Sequence, residues 1–132
     1  MIVETSALVA IVLAEPGAGA VVAAIERDSY RSMSAASFVE GSIVLLRERT
    51  DDAVAAFERT VQTLQILIVP VDAAQAREAI EAYRRFGRGS GHPARLNFGD
   101  CFSYALAKIT REPLLATGDD FAQTGIDMVT WQ

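Results

Sequence analysis

Short apolar runs of strand length alternate along the chain with longer segments of helical periodicity, and this alternation strongly constrains the fold. Strands separated by helices need crossover connections, which produce a parallel sheet covered by helices on both faces. Such strands are buried on both sides and are continuously apolar, as MIV, ILIV and LLA are here. The pattern predicts an α/β fold, namely a three-layer α/β/α sandwich around a short parallel sheet.

The apolar runs predict strands, and the helical patterns fill the intervals between them. The predicted strands are Met1–Val3, a weak Arg31–Met33, Ile66–Val71, Leu114–Ala116 and Met128–Trp131. The predicted helices include one from Ser34 or Ser37 to about Thr50, followed by Asp51–Gln65, Asp72–Phe86 and Asn97–Ile109. Ser37 and Glu40 have the spacing of a capping box, which favours a helix start there.

Length and composition indicate one domain spanning residues 1–132, because 51% of these 132 residues are hydrophobic and can form a core. One cysteine and one histidine exclude an internal disulfide and a His/Cys zinc site made by this chain alone. The sequence shows no signal-peptide pattern and no apolar run of about 18 residues. We therefore expect a cytoplasmic protein that does not span a membrane.

Carboxylates follow two of the predicted strands. Glu4 ends the first apolar run in MIVETSALVA, and Asp119 and Asp120 follow LLA in LLATGDD. In a parallel sheet these two strand ends lie at the same edge, where ligands bind in open α/β folds. Two predicted helices add Glu40, whose neighbours one turn away are small or apolar, and Asp100 in the first turn of NFGDCFSYALAKI.

Each acid also has an ordinary structural explanation as a helix cap, a partner of the helix dipole or a turn residue. Together, however, four carboxylates at one edge would repel each other unless some are protonated or a cation lies among them. Oxygen ligands without His or Cys select a hard ion, Mg²⁺ or its substitute Mn²⁺. Such an ion suits phosphate chemistry.

Other catalytic templates are missing. The sequence contains no Walker, GxGxxG or GxSxG motif. We interpret His92 as a loop residue and Cys101, on an apolar helical stripe, as a core residue. An aspartyl-phosphate phosphatase would need an acid two residues after Glu4, where this chain has Ser6.

Four segments in order, MIVETSALVAI, SFVEGSIVL, LNFGDCFSYALAK and PLLATGDDF, resemble the PIN-domain ribonucleases, specifically the VapC toxins of type II toxin–antitoxin systems. The likeness covers nearly the whole chain, and LNFGDCFSYALAK is its most specific part. It implies a PIN-like fold in a single PIN domain, 1–132, and Mg²⁺-dependent endonucleolytic cleavage of RNA with water as the nucleophile. It also implies a homodimer and a cognate VapB-type antitoxin that obstructs the site.

Carried over by position, the acidic quartet of that family falls on Glu4, Glu40, Asp100 and Asp119. The resemblance makes Glu4 and Asp100 the main metal ligands, with Glu40 and Asp119 completing the cluster. Hydroxyl groups that would support these ligands fall on Ser6 and Thr117. This chain departs from the family pattern in two places. The first acid of the family is normally aspartate, whereas this chain has Glu4. The fourth acid could be Asp119 or the adjacent Asp120, and Asp119 is favoured because it stands two residues after Thr117.

The net charge of −5, from 17 acidic and 12 basic residues, argues against a general nucleic-acid binder, but the bases are unevenly placed. RRFGRGSGHPAR, between the predicted third strand and Asp100, has four arginines and no acid. It is either a solvated loop or a phosphate-binding segment, and the resemblance favours phosphate contacts by Arg85, Arg88 and Arg95. The negative charge that does not belong to the acidic quartet fits a surface that binds a basic segment of the antitoxin. The alternative function is a catalytically weakened PIN-domain protein, with Glu4 at the first position, that mainly dimerises and binds its antitoxin.

Overall fold

The computed structural model describes residues 1–48 and 51–132, and within them a sheet of short strands is enclosed by helices. The strands are β1 (Ile2–Val3), β2 (Ser32–Ser34), β3 (Leu67–Val69) and β4 (Leu114–Leu115). The helices are α1 (Thr5–Val12), α2 (Ala18–Glu26), α3 (Ala35–Glu48), α4 (Asp51–Thr63), α5 (Ala73–Phe86) and α6 (Phe98–Thr110). A short 3₁₀ turn, Phe121–Thr124, follows β4.

The strands are parallel and lie in the order β3-β2-β1-β4. Ile2 of β1 is in register with Ser32 of β2 on one side and with Leu114 of β4 on the other. The carboxyl ends of all four strands therefore point to one edge of the sheet, and β1, which precedes Glu4, is a central strand.

Helices cover both faces of the sheet, because alternate strand residues point to opposite sides. Val3 and Leu115 pack in a core with residues of α1, α2, α3 and α4. Ile2 and Leu114 pack in a second core with residues of α5 and α6. The predicted three-layer α/β/α sandwich around a short parallel sheet is confirmed.

Helix caps explain several boundaries. Asp72 accepts a hydrogen bond from Gln75 N (2.8 Å) at the start of α5, as the sequence predicts. The capping box of Ser37 and Glu40 is wrong: α3 begins at Ala35, and the Ser34 hydroxyl accepts from Ala36 N (3.2 Å). The predicted end of this helix, about Thr50, lies outside the described residues.

The predicted strand Met128–Trp131 is also wrong, because this segment pairs with the sheet at a single bridge, Leu114 with Met128. A side chain holds the segment instead: Trp131 Nε1 donates to the carbonyl of Ala116 (2.9 Å). The predicted strand Ile66–Val71 is shorter in the structure, and β3 ends before Pro70, which has no N–H to donate. In the described part of the chain, no helix is long and apolar enough to cross a membrane.

Candidate active site

An open cavity of about 320 Å³ lies at the carboxyl edge of the sheet. Four acidic residues line it, namely Glu4, Glu40, Asp100 and Asp120. Its other lining residues in the described part of the chain are apolar or uncharged and include no Lys, Arg or His. The cavity is therefore strongly negative, as the acids at strand ends and helix starts predict.

Glu4 enters this cavity because it follows β1 directly and caps α1. Its backbone is extended (φ −86°, ψ 158°), and its Oε2 accepts a hydrogen bond from Ser6 N (2.7 Å). The pKa of Glu4 is raised to about 7, mainly by burial and to a lesser extent by the charges of Asp100 and Glu40, while the hydrogen bonds with Ser6 lower it. The bond to Ser6 uses one carboxylate oxygen, so Glu4 keeps a second oxygen for another ligand.

Asp100 is fixed by a capping box at the start of α6. Its Oδ2 accepts from Asn97 N, and the Asn97 side chain accepts from Asp100 N, both at 2.8 Å. Burial raises the pKa of Asp100 to about 6, helped by the charges of Glu40 and Asp120, while the hydrogen bond from Asn97 and the charge of Arg88 lower it. Asp100 therefore serves as a helix cap and faces an acidic environment at the same time.

Glu40 reaches the cavity from α3, and its carboxylate lies against Gly99 of α6. A Cβ built on Gly99 would overlap Glu40 Oε2, so this close approach depends on the glycine. Gly99 is a residue that the sequence analysis missed. The available signal was a glycine in the first turn of a helix, where glycine is disfavoured unless a close contact requires it.

The fourth acid differs from the sequence-based choice. The pattern after β4 favours Asp119, but Asp120 lines the cavity and its charge raises the pKa of Asp100. The chain turns here into the 3₁₀ turn, where Ala122 N donates to the carbonyl of Asp119 (3.2 Å). Phe121 is buried beside the cavity and anchors Asp120 at its wall. Asp120 therefore lines this cavity and Asp119 does not, and which of the two completes the acidic cluster stays a prediction.

The two predicted hydroxyl residues are brought together, but only one lines the cavity. Ser6 lines it, and its hydroxyl accepts a hydrogen bond from Thr117 N (3.1 Å). This bond joins the start of α1 to the chain leaving β4. Thr117 thus contributes its backbone, while Thr5 and Asn97 are further polar lining residues that the sequence analysis did not select for the site.

The predicted phosphate-binding arginines are all exposed, but they differ in position. Arg88 lies near enough to Asp100 for its charge to lower the pKa of that carboxyl. The Arg85 guanidinium lies 4.7 Å from the centre of the Phe86 ring, and Arg95 has a left-handed backbone (φ 50°). His92 packs edge-on against Phe86, and its Nδ1 accepts from Ala94 N (3.1 Å), which agrees with a loop residue.

The chemistry of the donor set fits a hard divalent cation. All four acids offer oxygen ligands only, which Mg²⁺ and Mn²⁺ prefer. In residues 1–48 and 51–132, no three His, Cys, Asp or Glu side chains are already grouped closely enough to hold one ion. Repulsion between carboxylates disfavours such grouping in the absence of a cation, and neighbouring acids add to the effect of burial in raising the pKa values of Glu4 and Asp100.

Comparison with known proteins identifies the family. The PIN domain family profile matches residues 1–127. Ribonuclease VapC42 of Mycobacterium tuberculosis is 50% identical over 126 residues, which cover 96% of each protein. A crystal structure of M. tuberculosis VapC20, a sarcin–ricin loop cleaving toxin, superposes with a TM-score of 0.77 at 20% identity over 95% of each chain.

A toxin–antitoxin complex from Klebsiella pneumoniae also contains a similar chain, with a TM-score of 0.64 at 17% identity, covering 92% of this chain and 89% of that one. These two structures support the fold. The 50% identity to VapC42 places the chain in one branch of the PIN-domain family, the VapC ribonucleases. The chain therefore belongs to the PIN-domain family and, within it, to the VapC ribonuclease toxins.

Proposed function

We propose that this protein is a Mg²⁺-dependent endoribonuclease and the toxin of a type II toxin–antitoxin pair. The observation that carries the proposal is the convergence of four carboxylates on one cavity, two of them with raised pKa values. The ribonuclease names of relatives up to 50% identical support RNA as the substrate class.

Glu4 and Asp100 would hold the cation directly, because they are the most buried of the four acids and each keeps an uncommitted carboxylate oxygen. Glu40 and Asp120 would complete the cluster from α3 and from the chain after β4. When bound, Mg²⁺ lowers the pKa of a water molecule and stabilises charge on phosphoryl oxygens.

The remaining chemistry belongs to residues of this chain. The capping bonds of Glu4 and Asp100 fix both carboxylates before substrate arrives, which reduces the reorganisation needed for reaction. Arg88 is exposed beside the acidic cavity and can bind a phosphate that would otherwise be repelled there. Arg85 and Arg95 would extend this contact along the backbone of the RNA.

The proposed protein partners, an antitoxin and a second copy of the chain, are supported by the family rather than by the geometry of the cavity. The similar chain in the Klebsiella pneumoniae toxin–antitoxin complex supports a cognate VapB-type antitoxin. The net charge of −5 suits a basic segment of such a partner. A homodimer is part of the same proposal.

Cleavage of RNA by purified, antitoxin-free protein tests the proposal. We expect cleavage with Mg²⁺ and none in EDTA. Asp100→Asn should abolish it, whereas Asp127→Asn, an exposed aspartate outside the cavity, should retain it. Cleavage that persists in EDTA or in Asp100→Asn would contradict the proposed mechanism. A wild-type protein that binds its antitoxin without cleaving RNA would favour the catalytically weakened alternative.

A further inference from the structure

Gly99 lies where α6 meets the Glu40 side chain of α3. It is the second residue of α6, it is buried, and it directly precedes Asp100. A Cβ at this position would overlap Oε2 of Glu40. The Glu40 carboxylate therefore occupies the space that any side chain at position 99 would need.

The two helices are held together one turn away from this point. Ser37 Oγ and Ser103 Oγ form a hydrogen bond of 2.8 Å, and both residues are fully buried. The Thr5 hydroxyl donates to the Ser37 carbonyl (3.1 Å), which ties the start of α1 to the same contact. Separating α3 from α6 would break the Ser37–Ser103 bond, and a buried hydroxyl without a partner is costly.

Ser37 precedes Glu40 by three residues, and Ser103 follows Gly99 by four. Residues at these spacings lie on the same face of a helix. The serine pair therefore sets the alignment in which Glu40 meets Gly99. Since the helix bodies are fixed, a methyl group at position 99 must be accommodated by movement of the Glu40 side chain.

We propose that Gly99 is a positioning residue, whose missing side chain admits the Glu40 carboxylate to the cavity beside Asp100. The role in catalysis rests on the proposed function, but the contact itself does not. With a side chain at position 99, Glu40 would turn away from the cluster. The remaining acids would then bind a cation more weakly and stabilise reacting phosphate less well.

Thermal melts of metal-free protein test the contact. Gly→Ala within a helix normally stabilises a protein, because alanine restricts the unfolded chain and favours the helix. Gly19 is the matched control: it is also the second residue of a helix, α2, and a Cβ there meets nothing within 4 Å. We expect Gly19→Ala to raise Tm, and Gly99→Ala to raise it less or to lower it, because the Glu40 carboxylate must move to admit the methyl group.

Removing the Glu40 side chain should abolish this difference between the two glycine positions. In a Glu40→Ala background, Gly99→Ala should raise Tm as Gly19→Ala does, because the overlapping carboxylate is gone. Equal changes in Tm on Gly99→Ala in both backgrounds would overturn the proposal. This measurement requires neither metal nor activity.

Metal binding and catalysis test the consequence. We expect Gly99→Ala to raise the Mn²⁺ dissociation constant about tenfold or more, since supporting residues at metal sites contribute about 10- to 100-fold. The kcat for RNA cleavage should fall about a hundredfold, as a misplacement of roughly 1 Å can cause. The KM of Gly99→Ala for RNA should stay unchanged. The Mn²⁺ dissociation constant and the kcat of Gly19→Ala should both equal those of the wild-type protein.

The outcomes separate the two proposals. Wild-type Mn²⁺ affinity and kcat in Gly99→Ala would overturn the positioning role while leaving the proposed function intact. A wild-type protein without Mg²⁺-dependent cleavage would overturn the proposed function. The dependence of the Gly99→Ala effect on Glu40 in the thermal melts would still decide the positioning claim.

Discussion

Glu4 combines two roles in one side chain. It caps α1 through Ser6 N and faces the acidic cavity, and burial raises its pKa to about 7. Glutamate has one more methylene than the aspartate usual in this family, which displaces the carboxylate by about 1.5 Å. Because Mg²⁺ requires near-octahedral geometry, that displacement would change how Glu4 ligates the ion in the proposed site.

We expect Glu4→Asp to increase Mg²⁺-dependent cleavage, by up to about a hundredfold, because a misplacement of this size can cost that much in rate. Aspartate is also a favourable helix cap, so α1 and the oligomeric state should be retained. Single-turnover rates on one RNA across a Mg²⁺ titration measure the effect. Equal or lower activity would show that the site is adapted to glutamate.

The adjacent aspartates after β4 provide a matched pair. Both residues are exposed, but Asp120 lines the cavity and its charge raises the pKa of Asp100, whereas Asp119 is outside the lining. We expect Asp120→Asn to reduce cleavage about 10- to 100-fold through weaker support of the metal. Asp119→Asn serves as the control with the same change of charge. Greater loss in Asp119→Asn would restore the assignment made from the sequence.

Among the helices and strands, some boundaries set by side-chain caps could be predicted, although the Ser37–Glu40 capping box was wrong, and boundaries set by tertiary contacts could not. Asp72 and Asn97 cap α5 and α6 as the sequence indicates. The strand β2 is difficult to recognise because it reads Ser-Met-Ser, although both serines are buried. The terminal segment is apolar, but it docks through Trp131 rather than through a strand ladder.

In the candidate site, too, some features could be predicted from the sequence and others depend on tertiary contacts. Strand order and parallel direction bring Glu4 and the chain after β4 to one edge, and this follows from the alternation of strands and helices. The choice between Asp119 and Asp120 depends on how a short turn is anchored by Phe121, which no local pattern encodes. The place of Glu40 depends on its contact with Gly99, a residue far away in the sequence.

The loop between α5 and α6 supplies positive charge beside the cavity. Gly87 pairs with Leu96 at its base, and Leu96 N donates to the Phe86 carbonyl (2.8 Å), so the loop is closed at its stem. Arg88 stands next to this stem and lowers the pKa of Asp100 through its charge. This placement suits phosphate binding, which does not depend on base sequence.

We expect Arg88→Ala and Arg95→Ala to weaken binding to unrelated RNAs by similar factors. Each lost phosphate contact should reduce the slope of log affinity against log salt by about 1. Arg27→Ala is the control, because Arg27 is exposed near Met1 and Pro113, where β1 and β4 begin. Loss of binding to one RNA alone, with an unchanged slope, would indicate base recognition instead.

The acidic cavity lowers the stability of the whole folded protein at neutral pH. In the unfolded chain Glu4 and Asp100 ionise at about pH 4, but in the folded protein they keep their protons up to about pH 7 and 6. The folded state therefore binds more protons in this interval, and its stability falls as pH rises through it. A cation that binds only the folded state counteracts the loss.

We expect the Tm of metal-free protein to fall by several degrees between pH 5 and pH 8, and Mg²⁺ to restore it at pH 8. Glu4→Gln should reduce the pH dependence, whereas Asp127→Asn should not change it. Calorimetry across a pH series with and without Mg²⁺ provides the measurement. A Tm that rises with pH in metal-free protein would contradict the raised pKa values.

If the carboxyl edge of the sheet forms one cation site, as we propose, anomalous diffraction from Mn²⁺-soaked crystals should locate the ion there. We expect an anomalous peak in the cavity, in contact with Glu4 and Asp100 and next to Glu40 and Asp120. The peak should vanish in crystals of Asp100→Asn. A well-occupied Mn²⁺ ion elsewhere, with this cavity free of anomalous signal, would contradict the account.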